Sequence, residues 1–180
     1  MSCVSSVCCA LLLLLRWRVR RFTDGVDVFD KRFVVVPINA ALHWSVAVLC
    51  NLDSLKRGTH AHAPPCIVFM DSLGTHPAAE VAENVRRWIA VEWAARHEPT
   101  LGPCPVDARD EHAVPLVQPT VPLQENGWDC ALFSLAYGER FVIMADPLYG
   151  AAVDEGTGTE LVRWVDREMA GVAFSNGLLT

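Results

Sequence analysis

Three short apolar runs rich in β-branched and aromatic residues constrain the fold of this 180-residue chain more than any other feature. They cover residues 33–38, 44–52 and 66–70, and this length and composition predict buried strands. A short turn over residues 39–42 lies between the first two runs, so we expect these strands to pair. Residues 53–65 are polar and contain two prolines, which predicts a loop.

Helical patterns follow the strands. Pro77 stands where a first helical residue would, with Thr75 as a candidate cap, and apolar residues from Val81 to Trp93 recur at helical spacing up to Pro99. Residues 99–112 are expected to be irregular and residues 114–122 extended. A buried helix is expected from Cys130, weakened at Gly138, and a last amphipathic helix over residues 159–170. Few strands with helices grouped after them predict an α+β domain with one mixed or antiparallel sheet.

Composition excludes several classes of protein. Hydrophobic residues make up 52% and charged residues 20%, which is typical of one globular domain. A net charge of −6 argues against nucleic-acid binding. The apolar run 10–15 is too short to span a bilayer. Arginines follow this run, whereas a signal peptide has its positive charges before the apolar segment. We expect no membrane attachment, although a signal-anchor stays open, and residues 1–18 are an uncertain segment before a domain over residues 19–180.

The cysteines indicate a reducing compartment. There are seven, an odd number, and Cys50 and Cys66 lie in or beside strand-like runs, which is typical of buried thiols and not of a disulfide framework. His60, His62 and Cys66 could offer metal ligands, but a fourth ligand is missing and Pro64 and Pro65 interrupt the cluster. We therefore expect no metal.

Candidate catalytic groups fall at the ends of predicted elements, where such groups are usually displayed. His43 precedes the second strand, Asp71 follows the third, and Cys130 begins a helix, whose N-terminus stabilises a thiolate. Thiol attack on a carbonyl needs a base, and an imidazole base needs a carboxylate to fix its tautomer. Asp53 is the other candidate acid. It follows the strand that His43 begins, a strand's length away, so Asp71 is preferred.

Three stretches, VPINAALHWSVAVL, IVFMDSLG and VPLQENGWDCALF, resemble the signature blocks of the SUMO-specific (ubiquitin-like-protein-specific) cysteine proteases. The blocks occur in the family's order, and the likeness covers residues 19 to 145. The stretch RRFTDGVDVFDKRFVVVPI is similar to the approach to the first block, particularly in the branch that trims SUMO chains.

The resemblance implies a papain-like cysteine protease fold with a central mixed or antiparallel sheet flanked by helices. It implies that His43 is the base, Asp71 the orienting acid, Cys130 the nucleophile and Gln124 the oxyanion donor. Trp44 would cover a narrow channel for the substrate's terminal Gly-Gly. The implied reaction is cleavage after the C-terminal Gly-Gly of SUMO or a related modifier, by a monomer without a cofactor, in the nucleus or cytoplasm.

Two departures from the family keep alternatives open. Ala131 stands where the family has glycine, and the tryptophan-containing segment that the family carries before its first block is not recognisable here. The first alternative is a catalytically impaired SUMO-binding pseudo-protease. The others are a protease for the modifier NEDD8 and an acyltransferase on the same scaffold.

Overall fold

A four-stranded sheet forms the centre of the protein. The computed structural model describes residues 23–57 and 64–153. The strands, in spatial order, are β1 (Phe33–Ala40), β2 (His43–Cys50), β3 (Cys66–Met70) and β4 (Leu116–Val117). The first three pair antiparallel, and β4 runs parallel to β3. The prediction of an α+β domain with a mixed sheet is therefore confirmed.

In the part of the chain that the structure describes, two long helices and two short ones accompany the sheet. They are α1 (Ser54–Arg57), α2 (Ala78–Arg96), α3 (Glu98–Leu101) and α4 (Cys130–Val153), and a 3-10 turn covers Val28–Asp30. The segments predicted as a loop and as irregular thus each contain one helical turn, α1 and α3. The helix predicted over residues 159–170, the uncertain segment 1–18, and His60 and His62 lie outside the described residues. Within the described ranges, every helix is too short or too polar to cross a membrane.

One long helix covers each face of the sheet. Side chains alternate between the two faces along a strand, so each face presents its own set of apolar residues to its helix. One cluster packs α4 against the sheet, and its buried members include Val46, Val48, Val68, Met70, Tyr137 and Phe141. The other cluster packs α2 against the opposite face, and its buried members include Ala47, Leu49, Ile67, Phe69, Ile89 and Trp93. All five residues of β3 are consequently buried, which is why the sequence of this strand is apolar throughout.

Helix α4 passes close to β1 at a glycine. A Cβ added at Gly138 would lie 3.4 Å from Cγ1 of Val35, at the near limit of ordinary van der Waals contact. The helix continues through this position to Val153. The weak helical propensity of Gly138 is therefore outweighed by packing on the sheet.

Helix α2 begins without the expected cap. Pro77 occupies the N-cap position in an extended conformation, and within the described ranges no side chain caps this helix, so the expectation for Thr75 is wrong. The reason lies in the preceding loop, where the backbone N–H groups of Leu73 and His76 bind the Asp71 carboxylate. That loop is shaped by Asp71, and the chain enters the helix through the fixed φ of a proline.

The turn between β1 and β2 is tighter than predicted. It consists of Ala41 and Leu42 alone, with φ values of 50° and 63°, as a type I′ turn requires. Left-handed backbone costs an ordinary residue about 1–2 kcal/mol, and Asn-Gly is the favoured pair at such a turn. This strained turn places His43 opposite Ala40 as the first residue of β2.

We predict that Leu49→Ala lowers the free energy of unfolding by about 2–5 kcal/mol, because Leu49 is fully buried between the sheet and α2. Urea denaturation measures the change. Leu101→Ala is the matched control, since Leu101 is 52% exposed, and its effect should stay within about 0.5 kcal/mol. Equal effects of the two substitutions would contradict this view of the core.

Candidate active site

One end of the sheet gathers the residues singled out by the sequence. Val46 lies opposite Met70, so the start of β2 and the residue after β3 reach the same end of the sheet. Because β4 runs parallel to β3, the segment that follows it, which carries Gln124, also leaves from this end. Backbone hydrogen bonding supports this placement, since the N–H of Gln124 donates to the carbonyl of Ser72 over 3.1 Å.

His43 and Asp71 are in direct contact. Nε2 of His43 lies 2.6 Å from Oδ1 of Asp71, and the two residues are 7% and 9% exposed. An ionised carboxylate only accepts hydrogen bonds, so Nε2 carries the hydrogen. In the neutral imidazole Nδ1 is then the basic nitrogen, which is the atom available to take a proton.

The Asp71 carboxylate accepts two further hydrogen bonds. The backbone N–H of Leu73 donates to Oδ1 over 3.0 Å, and that of His76 donates to Oδ2 over 2.9 Å. Burial disfavours the charged form, but the hydrogen bonds from His76, His43 and Leu73 outweigh it and lower the pKa of Asp71. The carboxylate is therefore held ionised beside the imidazole.

The other candidate acid lies elsewhere. Asp53 follows the far end of β2, where its carboxylate pairs with Arg57 over 2.8 Å. The contact of His43 is with Asp71, which was the preferred residue.

Gln124 is held in place through both ends of its amide. Its Oε1 accepts from the hydroxyl of Ser72 over 2.5 Å, and its Nε2 donates to the carbonyl of Asn126 over 2.6 Å. An amide nitrogen carries two hydrogens, so Nε2 can donate to a second acceptor as well. A buried, fixed donor of this kind suits the stabilisation of a developing oxyanion.

Cys130 is the first residue of α4 and is 5% exposed. The carbonyl of Asp129 accepts from the N–H of Phe133 over 3.0 Å, which makes Asp129 the residue that opens the helix. Asn126 organises the turn before it, because its Oδ1 accepts from the N–H groups of Trp128 and Asp129 and its Nδ2 donates to the Asp129 carboxylate. The helix start that carries the thiol is thus fixed by a local network.

A tyrosine connects α4 with the segment before Gln124. The hydroxyl of Tyr137 donates to the carbonyl of Pro122, two residues before Gln124. Burial raises the pKa of Tyr137 strongly, and the negative charge of Asp71 adds to the effect. The phenol therefore stays protonated and remains a donor.

Trp44 borders an apolar groove of about 680 Å³. Trp44 is 39% exposed, and the groove is also lined by Ala131, Ser134 and Leu135 of α4. The first turn of α4 therefore lies beside the start of β2. Since Trp44 follows His43 and Ala131 follows Cys130, the two catalytic candidates occupy neighbouring elements at this end.

Ala131 has an ordinary helical backbone. It is the second residue of α4, and the described non-glycine residues with positive φ are Ala41, Leu42 and Asn51. A glycine is therefore not required at this position for backbone conformation, and alanine favours the helix.

Two neighbouring residues were not singled out by the sequence. Ser72 holds Gln124, and its place beside Asp71 in the second signature block was an available signal. His76 was missed entirely, although its ring centroid lies 4.7 Å from that of His43. Its Nε2 lies 3.0 Å from the carbonyl oxygen of Ala40, and its Nδ1 lies 2.7 Å from Oγ of Ser45. A histidine in a turn carries no sequence signal for such contacts.

His43, Asp71 and His76 could also be considered as metal ligands. One potential ligand atom from each lies within 4.8 Å of the others. However, both ring nitrogens of His76 are engaged with Ser45 and Ala40, and Asp71 binds His43. Hydrogen bonding accounts for the cluster without an ion.

Comparison with known families identifies this arrangement. The model of the Ulp1 protease family, C-terminal catalytic domain, matches residues 15–146. This chain belongs to that family. The matched range contains the whole sheet, the His43–Asp71 pair, Gln124 and Cys130. The recognition made from the three signature blocks is confirmed.

Members of the family in plants are similar to this chain. It is 32% identical over 168 residues to the "Probable ubiquitin-like-specific protease 2A" of Arabidopsis thaliana, with 88% of this chain and 20% of the relative covered. It is 36% identical over 134 residues to the "Probable ubiquitin-like-specific protease 2B" of the same plant, with 71% and 14% covered. The chain thus spans a fifth or less of the length of these relatives.

A solved structure shares the fold. The "Crystal structure of the de-sumoylating protease" superposes with a TM-score of 0.58 at 17% identity, covering 86% of this chain and 56% of that one. The expected papain-like fold is confirmed. The roles of His43, Asp71, Cys130 and Gln124 in catalysis, and that of Trp44 in substrate binding, stay predictions.

We predict that Asp71→Asn lowers the free energy of unfolding at neutral pH. The substitution should also reduce the loss of this free energy as the pH falls. Because the folded-state pKa of Asp71 is lowered, its stabilisation is fully present above the unfolded value of about 3.9 and is lost as pH falls through the folded pKa. Urea denaturation from about pH 7 to about pH 2 measures both effects. Asp24→Asn, at an exposed position, is the control, and identical pH profiles for the two variants would refute the prediction.

We predict that Ala131→Gly lowers the free energy of unfolding by up to about 1 kcal/mol without accelerating alkylation of Cys130 by iodoacetamide, because the backbone is already helical. Ala79→Gly is the matched control, since Ala79 is the second residue of α2. A stabilised protein or a faster reaction of the thiol would mean that alanine distorts the start of α4.

Proposed function

We propose that this chain is a thiol protease that cleaves after the C-terminal Gly-Gly of SUMO or a related ubiquitin-like modifier, in deconjugation, precursor processing or both. The observation that carries the proposal is the buried contact between Nε2 of His43 and Oδ1 of Asp71, at the end of the sheet beside the start of α4. This contact leaves Nδ1 of His43 as the base. The names of the plant relatives and of the solved structure agree with this substrate class.

The proposed reaction begins at Cys130. Nδ1 of His43 takes the thiol proton, and the sulfur attacks the carbonyl carbon of the terminal glycine. Asp71 stabilises the imidazolium that forms, through the Nε2 hydrogen bond. The sulfur stands at the first residue of α4, where the unpaired N–H groups of a helix N-terminus carry partial positive charge.

The tetrahedral intermediate carries a negative oxygen. The second hydrogen of Gln124 Nε2 is the proposed donor to it, and the two hydrogen bonds of the Gln124 amide keep that donor fixed before the charge develops. Collapse of the intermediate breaks the carbon–nitrogen bond, and the imidazolium returns its proton to the leaving amine. Water then hydrolyses the thioester with His43 again as the base.

Trp44 is proposed to select for glycine. A flat, partly exposed ring beside the first turn of α4 can cover a substrate chain that has no side chains, and it would exclude larger residues. The helical backbone of Ala131 argues against an impaired relative, because the one substitution in the nucleophile block that motivated that alternative leaves the helix regular.

We also propose that the chain works as a monomer in a reducing compartment, the nucleus or the cytoplasm. Cys50 and Cys66 face each other across β2 and β3 as free, buried thiols. Burial raises the pKa of Cys50 well above its usual value, so this thiol stays protonated and unreactive. The net charge of −6 supports a function without nucleic acid.

The test is labelling by a C-terminal vinyl sulfone of SUMO, with NEDD8 and ubiquitin probes in parallel. We expect a covalent adduct that Cys130→Ala abolishes. Cys104→Ala is the matched control, because Cys104 is partly buried, free and distant in sequence from the signature blocks, and it should label like the wild type. Labelling by the NEDD8 probe alone would reassign the substrate, and a folded protein that labels with none of the probes would refute the enzyme.

A further inference from the structure

The base of the proposed protease stands directly after a strained turn. Ala41 and Leu42 both adopt positive φ, and neither is a glycine or an asparagine, the residues that tolerate this conformation. Leu42 is 97% exposed, so its side chain gains nothing from packing. Contacts outside the turn therefore have to offset its backbone strain. The position of His43, the next residue, depends on those contacts.

The ring of His76 bridges the two strands at this turn. The carbonyl of Ala40 can only accept, so Nε2 of His76 carries the hydrogen and donates to it over 3.0 Å. In the neutral ring Nδ1 then accepts from the hydroxyl of Ser45 over 2.7 Å. Ala40 ends β1 opposite His43, and Ser45, which is fully buried, lies two residues beyond His43 in β2. One side chain thus fixes both sides of the hairpin tip.

The same residue also contacts the partner of the base. The backbone N–H of His76 donates to Oδ2 of Asp71 over 2.9 Å, while Oδ1 accepts from His43. The rings of His76 and His43 lie 4.7 Å apart between centroids, tilted by 60°. His76 therefore connects the hairpin tip with the Asp71 carboxylate, and its ring packs against the imidazole of His43.

We propose that His76 is a positioning residue for His43: its side chain holds the strained β1–β2 turn closed and thereby keeps the imidazole aligned with Asp71. The effect of this role on catalysis rests on the proposed function. The hairpin contact itself exists independently of the reaction. Replacing the side chain leaves the backbone bond to Asp71 intact, so substitutions isolate the ring.

The test combines a loss with a matched repair. His76→Ala should lower kcat for a fluorogenic SUMO C-terminal amide by about 10–100-fold, because small misplacement of a catalytic group has effects of this size. KM should change by less than about twofold, because substrate contacts are unaltered. Ala41→Asn with Leu42→Gly supplies residues that favour the turn without His76. Added to His76→Ala, this pair should restore at least part of kcat.

Two further variants sharpen the comparison. His76→Gln places an amide nitrogen near the position of Nε2, so it should keep the bond to Ala40 and retain more activity than His76→Ala. It also carries the test if His76→Ala does not fold. His112→Ala is the histidine control, since that side chain is 88% exposed and its ion-pair partner is the neighbouring Glu111, and its kcat should match that of the wild type.

Unchanged kcat in His76→Ala, or a loss that the repaired turn does not reduce, would overturn the proposal. A wild-type protein without turnover would instead contradict the proposed function. In that case, hydrogen exchange at the amides of residues 38–45 decides the positioning role. Faster exchange in His76→Ala that the Asn-Gly turn reverses supports it, and unchanged exchange refutes it.

Discussion

The buried carboxylate of Asp71 is the interaction on which this end of the molecule depends. A buried anion is costly unless its hydrogen-bonding capacity is satisfied. Here donors come from the imidazole of His43 and from the backbone of Leu73 and His76, that is, from the hairpin and from the loop before α2. Satisfying the carboxylate therefore fixes the conformation of two separate segments. The adjacent Ser72 extends this control to Gln124.

The mixed sheet makes this convergence possible. Antiparallel pairing of β3 with β2 places Met70 opposite Val46, near His43. Parallel pairing of β4 with β3 directs the segment after β4 toward the same end of the sheet. Helix α4 then covers one face, and Tyr137 ties it to the segment that carries Gln124. The candidate base, the candidate acid, and the oxyanion donor together with the nucleophile come from three separate parts of the chain. The strands bring these parts together, and short hydrogen-bond networks set their geometry.

The sequence predicted the features that depend on local pattern. The three strands followed from β-branched runs, and the order of strands and helices indicated the fold class. The preference for Asp71 over Asp53 needed only the length of a strand, because a residue at the far end of β2 cannot reach His43. The start of α4 was predicted from the change from polar to apolar residues at Cys130.

Features decided by tertiary contacts were not predictable in this way. Strand β4 has only two residues, and its pairing depends on β3. Thr75 looked like a cap because nothing in the sequence reveals that the loop before α2 is shaped around a carboxylate. His76 lies 31 residues from Ser45 and 36 from Ala40, so its contacts exist only after folding.

The connection between β2 and β3 has a practical consequence. It leaves from Cys50 and returns at Cys66, at the end of the sheet opposite His43 and Asp71. A longer connection costs little, because loop-closure entropy grows only slowly with length. A reporter protein or an affinity handle can therefore be inserted in this connection, at the end of the sheet away from His43 and Asp71.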